Sequence, residues 1–320
     1  MRVLFTGGGG AGTTSLWQQL SPQYDVHFAD AQPDRIPPVI PSAHRHPVPM
    51  AGAVEFIPEL RRLVADLNID LLVPGVDEEL LPIARHRAEL AGCQVLLPGA
   101  TEVERCLDKL AFTEAAAERG LRVPHTQRLD QVTRWESFPC IAKPRTGRGS
   151  AGLMTLSDES AINGWRAVVA DPAAVIVQER ILGTEYTVQV ISDADANLRA
   201  IVPVLVRSKR GITVSAVTDA HPSVITECQV IHEVLGTSGV VNVQGILDGD
   251  GQFWTFEVNP RVSTTLCLVI ASGVDPLALY NPASMVDVSL APFIDGLPME
   301  RFWDTQIPDA TSIQGGRVHG

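Results

Sequence analysis

The first hundred residues alternate between short apolar, β-branched runs and longer amphipathic stretches, and no other feature of the chain constrains its fold as strongly. "RVLFTG", "DVHFAD", "DLLVPG" and "QVLLPG" have the length and composition of buried strands. "TTSLWQQL", "AVEFIPELRRLVADLN" and "EELLPIARHRAELAG" have helical spacing, the last closed by Gly92. Parallel strands need a crossover, and a helix supplies it, so the expectation is a parallel sheet flanked by helices. The proline-rich piece "PDRIPPVIPSAHRHPVP" breaks the pattern, and since each proline fixes φ and removes a donor, no regular structure is expected there. Its His44 and His46 read as side chains of a flexible surface loop, with metal ligation as the alternative.

After "TEVERCLDKLAFTEAAAERG", a helix ended by Gly120, the pattern changes. "FPCIAKP", "SAGLMTL", "AAVIVQERI", "TEYTVQVISD", "LRAIVPVLV", "GITVSAVT" and "VVNVQGILDGDGQFWTFEVNP" read as successive strands, with "LDGDGQ" a hairpin turn. Short turns between strands imply antiparallel pairing, so an α/β unit over residues 1–100 precedes an α+β unit over 101–320. The chain has 25 basic and 37 acidic residues among 320, a net charge of −12, which argues against nucleic acid as a partner. Five scattered cysteines offer no C-x-x-C pair and read as reduced core thiols. With no apolar run of the roughly 18 residues that a membrane span requires, and a start, "MRVLF", unlike a signal peptide, a cytoplasmic protein is expected.

Three stretches carry chemistry. In "TFEVNPRVS", Glu257 and Asn259 are two apart on a strand and leave it on one face, and Gln244 on the preceding strand can face the same spot. One carboxylate with two amide oxygens suits Mg²⁺, and the guanidinium of Arg261 suits phosphoryl or carboxylate oxygens. A solvated strand face would also show Glu-x-Asn. In "IAKPRTGRGSAGLMTL", Lys143 ends a strand and "TGRGSAG" offers a glycine-rich flap that can wrap phosphate, unlike a strand-to-helix Walker loop; a plain hairpin is the other reading. In "VIVQERILGTEYTV", Gln178, Glu179 and Glu185 can receive a base amino group and ribose hydroxyls, or form an exposed hairpin rim. Arg207 in "VLVRSKRG", sharing a face with Lys209, is a candidate for an anionic substrate group or simply a basic strand face. "GGGGAGTT" satisfies G-x-G-x-x-G through Gly7, Gly9 and Gly12, with Asp30 ending the next strand, the pattern of a dinucleotide site.

Taken in order, "LLVPGVDEELLPIA", "CLDKLAFTEAAAERGLRVP", "VNVQG", "FEVNPRVS" and "IASGVD" resemble the ATP-grasp superfamily, most closely the ATP-binding half of the carbamoyl phosphate synthase large chain. The resemblance implies a Rossmann-like pre-ATP-grasp domain followed by an ATP-grasp fold, with a flap subdomain at about 125–190. It implies that Lys109 and Lys143 contact ATP phosphates beneath a loop that includes Thr146, Gly147, Gly149, Ser150 and Gly152. Gln178, Glu179 and the backbone through Ile181 would hold adenine, and Glu185 the ribose. Gln244, Glu257 and Asn259 would bind Mg²⁺, with Mn²⁺ as a substitute, and Arg261 would act on the transferred phosphoryl group. The substrate side would draw on Gly9, Gly10, Asp77, Glu78, Arg207 and Arg261, which makes the opening glycines a substrate-side or purely structural turn rather than the nucleotide site.

The implied reaction joins a small-molecule carboxylate to an amine through an acyl phosphate, releasing ADP and phosphate. Bicarbonate activation and nucleotide binding without turnover are the alternatives. The chain stops soon after "SGVDPLALY", so a second synthetase half is not expected. Neither nucleic acid nor membrane is expected as a partner, and a homodimer is left open.

Overall fold

The computed structural model describes residues 1–90, 92–147, 149, 151–280 and 290–303. Five parallel strands, β1 (Arg2–Thr6), β2 (Asp25–Asp30), β3 (Arg45–Pro47), β4 (Leu71–Val73) and β5 (Gln94–Val95), form a sheet in the order β3-β2-β1-β4-β5. Helices α1 (Thr13–Leu20), α2 (Phe56–Asp66) and α3 (Asp77–Arg85) lie between these strands in sequence. β1 is buried on both faces: Val3 and Phe5 join one apolar core and Leu4 another. Its unbroken apolar run is what a strand covered on two sides requires.

Three local expectations are corrected. Within the proline-rich segment, Arg45–Pro47 forms β3, which pairs in register with Phe28–Asp30. Pro47 is tolerated because β3 is an edge strand, where one side of the ladder needs no donor. The histidines there are packed rather than flexible: His46 and His44 lie against His27 of β2, with ring centroids 5.1 and 4.7 Å away. The helix expected to run to Gly92 stops at Arg85, where the backbone N–H and ring Nδ1 of His86 both meet the Pro82 carbonyl. And the helix expected over residues 101–120 is two, α4 (Ala100–Leu107) and α5 (Lys109–Glu118), broken at Asp108.

Beyond α5, β6 (Thr126–Arg128), β7 (Cys140–Pro144), β8 (Met154–Leu156) and β9 (Val175–Glu179) make a four-stranded antiparallel sheet in the order β6-β9-β7-β8. It packs on α6 (Glu159–Val168) through Trp135, Leu156, Ile162 and Val177. A larger antiparallel sheet, order β14-β13-β10-β11-β12-β15, contains β10 (Thr184–Ser192), β11 (Leu198–Arg210), β12 (Ile212–Thr218), β13 (Gly239–Leu247), β14 (Phe253–Asn259) and β15 (Pro298–Glu300). One face of it covers α5 and α7 (Pro222–Leu235) through Tyr186, Val188, Phe112 and Ile231. Its far end shares a core with the parallel sheet and with α8 (Leu266–Ala271) and α9 (Pro276–Tyr280), where Ile191 and Val240 join Val3, Val26, Val269 and Leu277. All five cysteines are free. Among the described residues no helix is long and apolar enough to cross a membrane.

Candidate active site

The C-terminal ends of the parallel strands open onto a cleft of about 1080 Å³ whose other walls are the two antiparallel sheets. Ligands of open α/β sheets bind at this end of the strands because the connections there leave backbone groups facing outward. β1 runs into Gly7, Gly9 and Gly10, and β2 into Asp30. Gly7 has φ +71, and Gly9 donates its N–H to the Asp30 carboxylate at 2.9 Å. Asp30 thus holds the glycine turn, and its other oxygen accepts the Gln32 N–H at 2.8 Å, so both carboxylate oxygens are used on protein backbone.

The opposite wall carries the charges. The break at Asp108 is a helix cap: its carboxylate accepts the N–H groups of Leu110 at 3.0 Å and Ala111 at 3.4 Å, and also pairs with Arg145. Lys109 therefore starts α5 and is 7% exposed, with Nζ 2.8 Å from the Gly147 carbonyl and 3.9 Å from the Glu257 carboxylate. Lys143, next to last on β7, is equally buried; it donates to the Phe256 carbonyl at 3.4 Å and lies 5.1 Å over the Phe256 ring. Burial pushes its pKa down to about 8, with Glu257 opposing and the cations Lys109 and Lys209 assisting.

β13 and β14 pair so that Gln244 faces Glu257 and Asn242 faces Asn259, and all four line the cleft. Sequence reasoning missed Asn242, although it stands two residues before Gln244 and so shares its face. Asn242 Oδ1 accepts from Thr187 at 2.7 Å and from Gln189 at 2.8 Å, which fixes the amide. The donor set is oxygen-rich and hard, and it fits Mg²⁺ or Mn²⁺ rather than a softer ion.

Thr146, Gly147 and Gly149 of the flap line the cleft, and Gly152 packs against Pro144 just outside its wall; Ser150 lies outside the described residues. Gln178, Glu179 and Ile181 line the far end. Gln178 is buried and donates to Thr126 at 2.9 Å, while the Glu179 N–H donates to the His125 carbonyl at 2.8 Å. Glu185 is ion-paired with Lys209, so the cation beside it is a further cleft residue.

Glu78 lines the cleft on the parallel-sheet side. Asp77 does not line it; the buried Asp77 carboxylate pairs with Arg261, which does line the cleft and also donates to the Val262 carbonyl at 3.0 Å. Arg207 is exposed and away from the cleft, whereas Lys209 lines it. Register shifts in the β11–β12 ladder between Val206 and Lys209 break the alternation that would have put both on one face.

Residues 106–265 match the model of the ATP-grasp domain. The chain is 26% identical over 238 residues to the carbamoyl phosphate synthase large chain of Rubrobacter xylanophilus, covering 67% of this chain and 21% of that one. It therefore spans about a fifth of the length of that relative. It is 30% identical over 153 residues to the D-alanine–D-alanine ligase of an Anaeromyxobacter species, covering 43% of this chain and 49% of the relative. The L-amino acid ligase of Bacillus licheniformis shares the fold, with a TM-score of 0.66 at 16% identity over 86% of this chain and 72% of that one. The family model spans half the chain, including both lysines, the flap, and the β13–β14 hairpin with its carboxylate and amides, and on that basis the chain belongs to the ATP-grasp family.

Proposed function

We propose that this chain is an ATP-dependent ligase that activates a carboxylate as an acyl phosphate and joins it to an amine. The observation that carries the reading is the convergence of Lys109 and Lys143, from separate segments, on the Glu257 side of one cleft beneath a glycine-rich flap. Two buried cations and an acid at that spacing have little structural purpose, because burying charge is costly unless a ligand compensates it.

In this reading Lys109 and Lys143 bind the triphosphate, and Lys109 exchanges the Gly147 carbonyl for a phosphate oxygen as the flap settles over it. Gln178, Glu179 and the backbone at Ile181 face adenine, and Glu185, held by Lys209, faces the ribose. Gln244, Glu257 and Asn259 would hold Mg²⁺. The bound dication neutralises charge on the phosphoryl oxygens. Arg261, oriented by Asp77, stabilises the charge that develops as the γ-phosphoryl group passes to the carboxylate. The flap excludes water, which would otherwise hydrolyse the acyl phosphate. Residues 1–100 supply the substrate-side wall through Gly9, Gly10 and Glu78, and 101–320 the nucleotide side.

The identity with carbamoyl phosphate synthase large chains favours bicarbonate as a second candidate for the activated group. ADP and phosphate release from ATP and Mg²⁺, measured over a panel of amino acids and carboxylic acids and with bicarbonate alone, separates the two. Turnover that needs a carboxylate–amine pair supports the ligase, and turnover with bicarbonate alone supports the second reading. ATP binding without turnover in any mixture would overturn both. Glu257→Gln is expected to abolish phosphate release, by about a hundredfold or more, while circular dichroism shows an unchanged fold.

A further inference from the structure

Beside β2 and outside the cleft, three histidines and an aspartate gather where the ligase chemistry has no use for them. Asp25 begins the strand and Asp30, at its other end, lines the cleft, so these two carboxylates are about 17 Å apart along the strand. His27 follows on the same strand, and His44 and His46 arrive from the turn and strand that pair beside it. His27 is buried, His44 is covered on one side by the edge of Trp17, and Asp25 is partly exposed.

The spacing is that of a ligand set. His27 Nε2 lies 3.3 Å and His44 Nδ1 3.7 Å from the same Asp25 oxygen, and one ligating atom from each of the three lies within 4.8 Å of the others. Two ligands on adjacent corners of a tetrahedral ion with bonds of about 2.0–2.1 Å stand about 3.4 Å apart. The other ring nitrogen of His27 is already held: its Nδ1 is 3.0 Å from His46 Nε2, and with Nδ1–H donated there, Nε2 keeps the lone pair that a metal needs. His44 Nδ1, the nitrogen that faces Asp25, also lies 2.9 Å from the Val26 carbonyl, a contact that a bound ion would replace.

Charge narrows the choice of ion. Arg2 binds the other oxygen of Asp25 at 3.0 Å and offsets its charge, so the site has little net negative charge with which to attract a hard cation. Two imidazoles and one shared carboxylate instead favour a borderline transition ion.

We propose that Asp25, His27 and His44 form a transition-metal site of Zn²⁺ type, with His46 orienting His27, separate from the Mg²⁺ site of the cleft. An ion there ties β2 to the Ser42–His44 turn and secures edge strand β3. The open surface side leaves a coordination position for water.

The test uses the whole chain, purified with chelator and dialysed against Zn²⁺ or Co²⁺ in millimolar Mg²⁺ without nucleotide. The expected result is one equivalent of metal per chain, visible for Co²⁺ as d–d absorption, and a Tm that rises with metal concentration. His44→Gln and His27→Gln are each expected to weaken binding at least about tenfold, and His46→Gln by a smaller factor. Glu257→Gln, in the cleft, is expected to leave it unchanged. His44 is partly exposed, so its variant should fold, and the metal-free Tm checks this. Absence of stoichiometric binding by the unmodified chain, binding that survives His44→Gln, or binding removed by Cys93→Ser instead, overturns the proposal.

Discussion

Lys143 shows how a single residue takes on chemistry from its surroundings. An exposed lysine keeps its charge well above pH 9, but burial lowers this one to about 8. Below that pH the ammonium is present, and as pH rises through it the charge is lost. A triphosphate bound as proposed would favour the ammonium and raise its pKa, so on that reading ATP affinity should be full at neutral pH and fall above pH 8, by up to about tenfold per unit. kcat/KM for ATP followed from neutral pH to about pH 10 checks this; Lys143→Met should give a low, flat profile over the same range. The lysine was legible in the sequence as the strand-ending residue before a glycine loop. Its perturbed acidity was not, because that depends on burial by distant segments and on Glu257 and two other lysines brought in from elsewhere. Asn242 lies between these cases: strand alternation alone places it beside Gln244, and only its cross-strand pairing with Asn259 shows why it matters.

At the level of elements, the break between α4 and α5 matters more to the site than any helix length. A carboxylate at position 108 competes with continuation of the helix, because it can cap a new one. The cap also receives Arg145, at the start of the flap, so one residue sets both the lysine and the loop that covers it. Asp108→Ala should destabilise the protein by about 1–2 kcal/mol, read as a lower urea midpoint, and raise the KM for ATP several-fold as Lys109 loses its fixed starting point. Periodicity alone joined these two helices, since apolar spacing continues across the break. The same blindness to pairing hid β3: three residues ending in proline look like coil until an edge strand stands next to them.

For the whole molecule, the cleft is assembled from residue 7 to residue 265, drawing on all three sheets. The Arg261–Asp77 pair ties the loop after β14 to the first turn of α3, where the helix N-terminus favours the carboxylate. Asp77→Asn should lower kcat about tenfold or more with little change in the KM for ATP, because Arg261 loses its orientation while the nucleotide wall is untouched; steady-state kinetics distinguishes this from general loss of fold. ATP with Mg²⁺ at a hundred times Kd should stabilise the folded state by about 2.7 kcal/mol, raising Tm by a few degrees in thermal scans.

The sequence by itself determined the parallel sheet, the strands of the hairpin carrying Glu257 and Asn259, and the glycine loops, because each rests on local periodicity or on residues a few positions apart. Only the tertiary structure decided that Asp77 serves Arg261, that Lys209 rather than Arg207 reaches the cleft, and that three histidines share one corner of the parallel sheet. Those outcomes depend on a bulge, on strand register and on the packing of distant segments, none of which a local pattern encodes.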